Sequence, residues 1–489
     1  MPDFLRMACP YAEPRVVERL WEARRYRKLI NYLWVEFLMA RGAVRLWGGR
    51  PYWLTIDPNN FCQLHCPFCP TGADRGVRGK SMMDLEHFKG LIDRLGPYVI
   101  HVDMMNWGES LLNKSLPEMI AAAKRHGIEV RLDANFNDVS EEMIDRLIQS
   151  GLDVLSLSID GASAETYGRY RAGGDFERVL ANVRTLIRRR RTLGRTSPWI
   201  VWQFLVFRHN EHERSRAARV ARELGVDQIS YVAPSIPNEP GYLWEWMALN
   251  PGYQLYPLPP AMPGEDERRR ARLISHAKKT ASLRPFYARR FGAASLLSWT
   301  YVRRLAAMSV RARDAGWFFA RLGEILSFWW RSRSGVGTVP YRSTEGGRRS
   351  ICKWPWAGMA VNPNGSVSPC CSVEEERDDF GNVFKQGFSS LWNGRLYRAS
   401  RRHVRQFVTG RVGVIPEAEH ACRRCAAIGA ANFRFPNHSP YGSDPGVVLA
   451  RPAPGMEDEG RTDQEEAISP AASPTPDLKP PTSIGKAAR

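Results

Sequence analysis

The chain has 489 residues, 43% of them hydrophobic and 25% charged, which is the balance of an ordinary globular protein with room for roughly two to four domains. A formal net charge of +19 calls for something acidic as partner: a phosphorylated small molecule, an anionic lipid surface or nucleic acid. No apolar run reaches the length of a membrane-spanning helix, residues 1–25 lack the apolar core of a signal peptide, and the nine cysteines cluster too unevenly for a disulfide framework, so a reducing cytoplasm is expected.

In chain order, residues 1–50 read as a basic, aromatic, helical leader, with Trp21, Tyr26, Tyr32, Trp34 and Phe37 set among Arg24, Arg25, Arg27 and Lys28. Residues 51–239 then alternate apolar runs with amphipathic stretches. The predicted strands are 53–56, 99–105, 129–132, 154–159, 199–207 and 228–232, and the predicted helices between them are 84–95, 116–126, 140–150, 175–191 and 211–224. Asp84 and Ser140 stand at N-cap positions, and Gly127, Gly151 and Gly225 where helices should stop. Strict strand–helix alternation predicts a parallel sheet with right-handed crossovers, curled into an incomplete barrel. Such sheets bind ligands at the C-terminal ends of their strands.

The first of those ends carries Cys62, Cys66 and Cys69 in a C-x3-C-x2-C loop. Three thiolates on so short a loop suit three corners of a cubane iron–sulfur cluster and leave the fourth iron open for a substrate or cofactor. A zinc knuckle completed by His65 is the plainer alternative, although His65 abuts Cys66 and would have to bend back to share its tetrahedron. The second strand ends in Trp107-Gly108-Glu109, the third in Asp133-Ala134-Asn135-Phe136-Asn137, and the fourth in Ser158-Ile159-Asp160-Gly161, followed by Arg171. Glycine permits close backbone approach, a carboxylate can neutralise an ammonium group, and amides donate as well as accept.

Residues 240–349 change character. After a proline-rich break, residues 261–349 hold 19 Lys/Arg against 6 Asp/Glu, a net +13, with Trp299, Tyr301, Trp317, Phe318, Phe319, Phe328, Trp329 and Trp330 interleaved. The plainer reading is a helical insertion that packs its aromatics on the core, and the sharper one is a membrane-surface or anionic-substrate element. Residues 350–430 form a small cysteine-containing domain in which Cys352, Cys370, Cys422 and Cys425 could cap a whole cubane or hold one zinc; spacing alone does not choose. From residue 443 to 489 the chain is rich in Pro, Ala, Ser and Glu and reads as a disordered tail.

The cysteine loop with these strand ends resembles the radical S-adenosylmethionine (radical SAM) superfamily over residues ~50–235. The resemblance implies an α/β fold, a partial (β/α)6 barrel. It implies that Cys62, Cys66 and Cys69 hold a [4Fe–4S] cluster and that S-adenosylmethionine occupies the open iron. By the same resemblance Phe68 lies beside the adenine and Gly108 and Glu109 meet the methionine ammonium. Asn135, Ser158, Asp160 and Arg171 then complete the S-adenosylmethionine contacts. Trp107 departs from the glycine usual in its place, and the family's apolar-glycine motif on the fifth strand is not evident.

Residues ~350–427, with Cys352-Lys353-Trp354-Pro355-Trp356, Asn364-Gly365 through Cys370-Cys371, Gly381-Asn382 and Leu391-Trp392, resemble the SPASM and Twitch extensions of such enzymes. The resemblance implies a second, auxiliary [4Fe–4S] cluster on Cys352, Cys370, Cys422 and Cys425, with Cys371 a spare thiol or a substitute for Cys370. The expected activity is reductive cleavage of S-adenosylmethionine and hydrogen-atom abstraction, in an oxidation of a sugar-, cyclitol- or phosphate-bearing metabolite. A base to take the accompanying proton would come from Asp133, Asp160 or His209. Expected partners are S-adenosylmethionine, an anionic or lipid-linked substrate and a flavodoxin- or ferredoxin-type electron donor, with peripheral membrane contact as the sharper reading of the basic segment. A ribosomal-peptide maturase is the alternative. A zinc-containing nucleic-acid-binding protein is the distant one, since neither cysteine set has paired-finger spacing.

Overall fold

The computed structural model describes residues 12–76, 78–236, 240–254, 352–409, 422 and 447–448. Most of the basic aromatic segment, together with Cys9 and Cys425, lies outside the described residues.

Six strands, β1 (Trp53–Ile56), β2 (His101–Met104), β3 (Glu129–Ala134), β4 (Val154–Ser158), β5 (Trp199–Leu205) and β6 (Gln228–Val232), pair parallel in sequence order. The helices between them are Leu85–Leu95, Leu116–Arg125, Glu141–Gln149, Ala164–Tyr170 with Phe176–Thr192, and Arg214–Leu224. Their ends follow local chemistry. The Asp84 carboxylate accepts the N–H groups of Glu86 (2.9 Å) and His87 (3.1 Å), and the Ser140 hydroxyl accepts that of Met143 (3.1 Å). Gly225 ends Arg214–Leu224 in the left-handed conformation at φ +82°, which a side chain would resist. Only the last predicted helix begins late, because Glu211–Glu213 forms a 3-10 turn first.

The sheet is longer than six strands. Strand β7 (Gly358–Val361) pairs parallel with β1, from Trp53 opposite Gly358 to Ile56 opposite Val361. Strand β8 (Val367–Ser368) folds back antiparallel on β7. At the far edge β9 (Val447–Val448), inside the stretch read as a tail, pairs antiparallel with Gln228 and Ile229 of β6. The order β8-β7-β1-β2-β3-β4-β5-β6-β9 leaves two open edges, so the barrel is partial. Strands β1 and β2 are buried throughout, as parallel strands covered on both faces must be. In β3 the pattern alternates: Val130, Leu132 and Ala134 face the helix-packed core, while Glu129, Arg131 and Asp133 turn to the other face.

The leader contributes to the same core. Helix Pro14–Glu22 is followed by Tyr26–Ala40, whose Trp34, Val35, Leu38 and Met39 join the apolar interior formed by the barrel helices and the C-terminal domain. Two buried tryptophans tie the C-terminal domain to the last part of the leader: Trp356 Nε1 donates to the Ala43 carbonyl (2.8 Å) and Trp392 Nε1 to the Gly49 carbonyl (2.9 Å). Among the described residues no helix is long and apolar enough to cross a membrane.

Candidate functional site

The cysteine loop leaves the end of β1 and is closed at its base by Asn60. The Asn60 amide donates to the Gly79 carbonyl (2.8 Å) and accepts the Ser81 N–H (2.7 Å). Within the loop Cys69 N–H bonds the Cys66 carbonyl (3.2 Å), and Gly72 lets the chain pass where a Cβ would stand 2.6 Å from Cys66 N. Three donors point at sulfur: Leu64 N–H to Cys62 Sγ (3.4 Å), Asn135 Nδ2 to Cys62 Sγ (3.5 Å) and Arg171 Nη1 to Cys66 Sγ (3.9 Å). Burial pushes the Cys62 thiol up to about 12, with the Leu64 N–H working against it. His65 is exposed and lies against Gly173, whereas Cys66 beside it is buried.

A second loop, after β2, is pinned against the first. The buried Asp57 carboxylate accepts the N–H groups of Trp107 (3.1 Å) and Gly108 (3.4 Å), and burial, its largest influence, raises it to about 7 despite those two bonds. The Asn59 amide donates to the Glu109 carbonyl (2.7 Å), and Glu109 N–H bonds the Phe61 carbonyl (3.0 Å). Gly108 lies so near Asn59 that only glycine fits. The Glu109 carboxylate is 4% exposed and accepts the backbone N–H groups of Asn135 (2.7 Å) and Leu111 (3.2 Å). Desolvation raises it to about 7, so an arriving cation would be its natural complement.

Asn135 turns its amide between Gln63 (3.3 Å) and the Cys62 sulfur. The next residue, Phe136, is buried with φ +60°, a conformation unusual for a bulky side chain, and Asn182 Nδ2 holds it by donating to the carbonyls of Phe136 (2.9 Å) and Asn137 (3.1 Å). Asp160 and Arg171 meet each other, Arg171 Nε donating to Asp160 Oδ2 (2.6 Å), while Asp160 Oδ1 accepts the Leu205 N–H (2.6 Å). Burial opposes the guanidinium charge, but Asp160 and then Cys66 outweigh it and hold Arg171 protonated. Ser158 is buried at the end of β4, opposite Gln203 of β5. Phe68 packs within an aromatic group: Trp246 (5.0 Å between ring centroids), Tyr242 (5.7 Å), Tyr170 (6.1 Å) and Phe207 (6.5 Å).

Three thiols, backbone and amide donors aimed at sulfur, and a buried carboxylate thus converge at the C-terminal mouth of a partial parallel barrel. Residues 56–199 match the family model of the Radical SAM superfamily, and residues 352–426 match that of an iron–sulfur cluster-binding domain, SPASM. The chain therefore carries a radical SAM domain and a SPASM domain. Its two domains imply a [4Fe–4S] cluster with S-adenosylmethionine and an auxiliary iron–sulfur centre.

Among curated relatives, this radical SAM chain is 30% identical over 126 residues to the AdoMet-dependent heme synthase of Methanosarcina barkeri, covering 26% of this chain and 36% of that protein. It is 27% identical over 176 residues to the Fe-coproporphyrin III synthase of the same organism, covering 36% of this chain and 41% of that one. The matches thus span about two-fifths of those relatives' lengths. Among solved structures, Streptococcus suis SuiB aligns with a TM-score of 0.44 at 13% identity, over 72% of this chain and 68% of that one. Native anSMEcpe with bound AdoMet aligns at 0.42 and 16% identity, over 78% and 88%.

In the SPASM domain, Cys352, Cys370 and Cys371 gather around the stacked pair Trp53 and Trp354, whose ring centroids are 5.0 Å apart. Cys371 is half-buried; desolvation pushes its thiol above the usual range, and Cys370 and Asp103 push it the same way. Burial pushes the Tyr397 hydroxyl well above its usual range; Arg401 opposes this, and Cys422 and Cys370 add to it. Among the described residues no three His, Cys, Asp or Glu side chains close on a single ion.

The two domains are fastened together beside the cysteine loop. Arg78, just past that loop, donates to both oxygens of Asp379 (2.6 and 2.8 Å), with both side chains 6% exposed. The Asn106 amide, oriented to satisfy both neighbours, donates to the Cys371 carbonyl (3.0 Å) and accepts from Trp107 Nε1 (3.0 Å).

Sequence reasoning missed Asp57, Asn59, Arg78 and the aromatics Tyr242 and Trp246. The last two sit on helix Pro240–Trp246, at the start of the segment read as an insertion, and the alternation Tyr242, Trp244, Trp246 was the available signal. Of the three base candidates, Asp133 is paired with Arg131 (2.7 Å) and Asp160 with Arg171. His209 bonds the Thr166 carbonyl (3.2 Å) and is lowered to about 4, chiefly by burial.

Proposed function

We propose that this radical SAM enzyme oxidises a small anionic metabolite, one bearing a phosphate, sugar or cyclitol group. Cys62, Cys66 and Cys69 would hold the [4Fe–4S] cluster. When bound, that cluster supplies the low-potential electron that breaks the sulfonium bond of S-adenosylmethionine.

The chain's own residues do the rest. The observation that carries the reading is Glu109: a buried carboxylate held by two backbone N–H groups, beside the amide that touches Cys62. Two backbone bonds leave lone pairs for an ammonium group. Asn135 and Arg171 place an amide donor and a fixed cation against the thiolates, which offsets their mutual repulsion. Phe68 with Trp246, Tyr242, Tyr170 and Phe207 supplies a large apolar surface beside the loop and excludes water there. The net charge of +19 favours an anionic substrate, and the SPASM domain offers an auxiliary centre to take the electron that an oxidation releases.

A second reading, an iron tetrapyrrole as substrate, is supported by the names of the two relatives, heme synthase and Fe-coproporphyrin III synthase.

The test is anaerobic reconstitution with iron and sulfide, then S-adenosylmethionine and dithionite, with 5′-deoxyadenosine measured by chromatography. Wild type should produce it, and both Glu109→Gln and the Cys62→Ala/Cys66→Ala/Cys69→Ala variant should not. Equal production by the Glu109 variant would overturn the ammonium role. Stimulation of turnover by phosphorylated sugars against Fe-coproporphyrin III separates the two substrate readings.

A further inference from the structure

The barrel strands have an apolar outer face and a polar inner one. In β3, Arg131 and Asp133 turn away from the helix-packed core. The neighbouring strands keep the same alternation: Val102 of β2, Leu155 and Leu157 of β4, and Trp202 and Phe204 of β5 lie in that core. Asp103 of β2 and Ser156 of β4 are therefore left on the inner face with Arg131 and Asp133. The register sets them side by side, Asp103 opposite Arg131 and Asp133 opposite Ser156. Glu129, at the other end of β3, is taken up by Arg19 of the leader helix.

The hydrogen-bonding groups on this face are unevenly occupied. The Asp103 carboxylate meets Trp53 Nε1 (2.5 Å) and His101 Nε2 (2.8 Å), and its side chain is 1% exposed. Arg131 and Asp133 are different. Arg131 Nε donates to Asp133 Oδ1 (2.7 Å), and neither side chain makes another hydrogen bond among the described residues. Asp133 Oδ2 and Arg131 Nη1 and Nη2 are thus without a protein partner, on side chains that are each 12% exposed. Across from Asp133, Ser156 is 0% exposed and its hydroxyl has no hydrogen-bond partner. A buried polar atom left unsatisfied in this way is uncommon and calls for a group to meet it.

The position of these groups gives them a purpose. Asp133 precedes Asn135 by two residues, about 7 Å along an extended chain. Asn135 in turn touches Cys62 Sγ through its amide (3.5 Å) and Glu109 through its backbone N–H (2.7 Å). The open groups therefore lie one step inside the barrel from the residues read as holding cluster and S-adenosylmethionine. Their chemistry is that of an acceptor beside two donors, which matches a hydroxyl group and matches adjacent hydroxyls better. Burial opposes the guanidinium charge of Arg131, but Asp133 and then Asp103 outweigh it. The cation is already answered, so an arriving phosphate would face two carboxylates and no spare positive charge.

We infer that Arg131, Asp133 and Ser156 bind the uncharged, hydroxyl-bearing part of the substrate, a polyol ring whose neighbouring hydroxyls bond Asp133 Oδ2 and the Arg131 Nη groups. This deepens the proposed oxidation of a sugar- or cyclitol-bearing metabolite and rests on that reading. Asp133 is then a residue that grips the substrate, and any phosphate the substrate carries is held away from this face.

The test is calorimetric titration of the cluster-loaded full chain with S-adenosylmethionine bound, using myo-inositol and inorganic phosphate as separate probes. Wild type should bind myo-inositol saturably, and phosphate should not displace it. Asp133→Asn should weaken that binding at least tenfold, because a charged acceptor is lost, and Ser156→Ala should weaken it about fivefold. Both variants should keep the wild-type affinity for S-adenosylmethionine. An ion pair with a structural role alone would lower the melting temperature of Asp133→Asn and leave its affinity for the polyol where it was. Polyol affinity unchanged in both variants, displacement by phosphate, or no saturable binding of myo-inositol each overturn the inference. Should Asp133→Asn fail to fold, Ser156→Ala, which removes a single oxygen, decides alone. A wild-type chain that loads no cluster or cleaves no S-adenosylmethionine overturns the proposed function and this inference with it. A loaded chain that cleaves S-adenosylmethionine and ignores the polyol overturns this inference alone.

Discussion

Asp160 and Arg171 form a buried ion pair, Nε to Oδ2 at 2.6 Å, whose far end places Arg171 Nη1 at 3.9 Å from the sulfur of Cys66. The carboxylate is completed by the Leu205 N–H, so it is a fixed anchor for the arginine. Removing one partner of such a pair leaves an uncompensated buried charge, which costs about 3–5 kcal/mol. Asp160→Ala should therefore lower the unfolding free energy of the apoprotein by about that amount in urea denaturation. A loss below about 1 kcal/mol, the scale of an exposed pair, would show that Arg171 finds another partner.

Gly108 is the point at which the two ligand loops touch. A Cβ there would stand 1.9 Å from the Asn59 carbonyl oxygen, which belongs to backbone that cannot swing aside. Gly108→Ala should separate the loops, destabilise by about 1–3 kcal/mol and reduce 5′-deoxyadenosine formation about 100-fold. Iron content near that of wild type would locate the damage at S-adenosylmethionine binding rather than at cluster assembly.

Asp57 predicts how stability depends on pH. Its folded value is raised to about 7 by burial, above the ordinary carboxylate value of about 4. Between those values the folded state keeps a proton that the unfolded chain has lost, so this contribution is full below about pH 4 and disappears as the pH rises through about 7. Asp57→Asn, which still accepts a backbone N–H, should flatten that part of the stability–pH curve in thermal melts. Lys28 contributes with the opposite slope at higher pH. Buried and bonded to the Gly127 carbonyl, it is lowered to about 7, mainly by desolvation, so stability recovers from about pH 7 toward the ordinary lysine value.

Glu109 makes ligand binding pH-dependent in a predictable direction. With its carboxyl raised to about 7 by burial, the unliganded site is half-protonated near neutrality. An ammonium group prefers the carboxylate, so S-adenosylmethionine affinity of the cluster-loaded protein should weaken as the pH falls below about 7. Isothermal titration should show roughly tenfold weaker binding per pH unit well below that point in wild type. Glu109→Gln should bind weakly and without that slope.

The paired cysteines of the SPASM domain should behave differently. Cys370 and Cys422 both exert their charge on Tyr397, whereas Cys371 feels Cys370 and Asp103. Cys370→Ala should therefore drop iron from about eight to about four per chain, while Cys371→Ala should leave it unchanged. The reverse result would exchange their roles.

Much of this site was readable without coordinates because its determinants are local. A C-x3-C-x2-C spacing places three thiols on one loop whatever the rest of the chain does, and apolar runs such as Trp53–Ile56 and Val154–Ser158 announce buried parallel strands by composition alone. The caps at Asp84 and Ser140 are likewise bonds between residues two or three apart. What remained hidden depends on long-range contact. Nothing near Gly358–Val361 says that it will extend the sheet beside Trp53–Ile56, some three hundred residues earlier. Nor does any local pattern say that Arg78 will find Asp379, or that Asp160 will be consumed by Arg171.

The division has a physical cause. Covalent spacing and hydrophobic period act within one element, so sequence alone determined the barrel strands and the placing of three thiols on one loop. Desolvation, by contrast, is a property of the assembled interior. Only the tertiary structure decided that Asp57 and Glu109 lie where burial raises them toward neutrality, that Phe136 is held in a left-handed conformation beside Asn135, and that Arg401 lies buried over the rings of Trp392 and Tyr397.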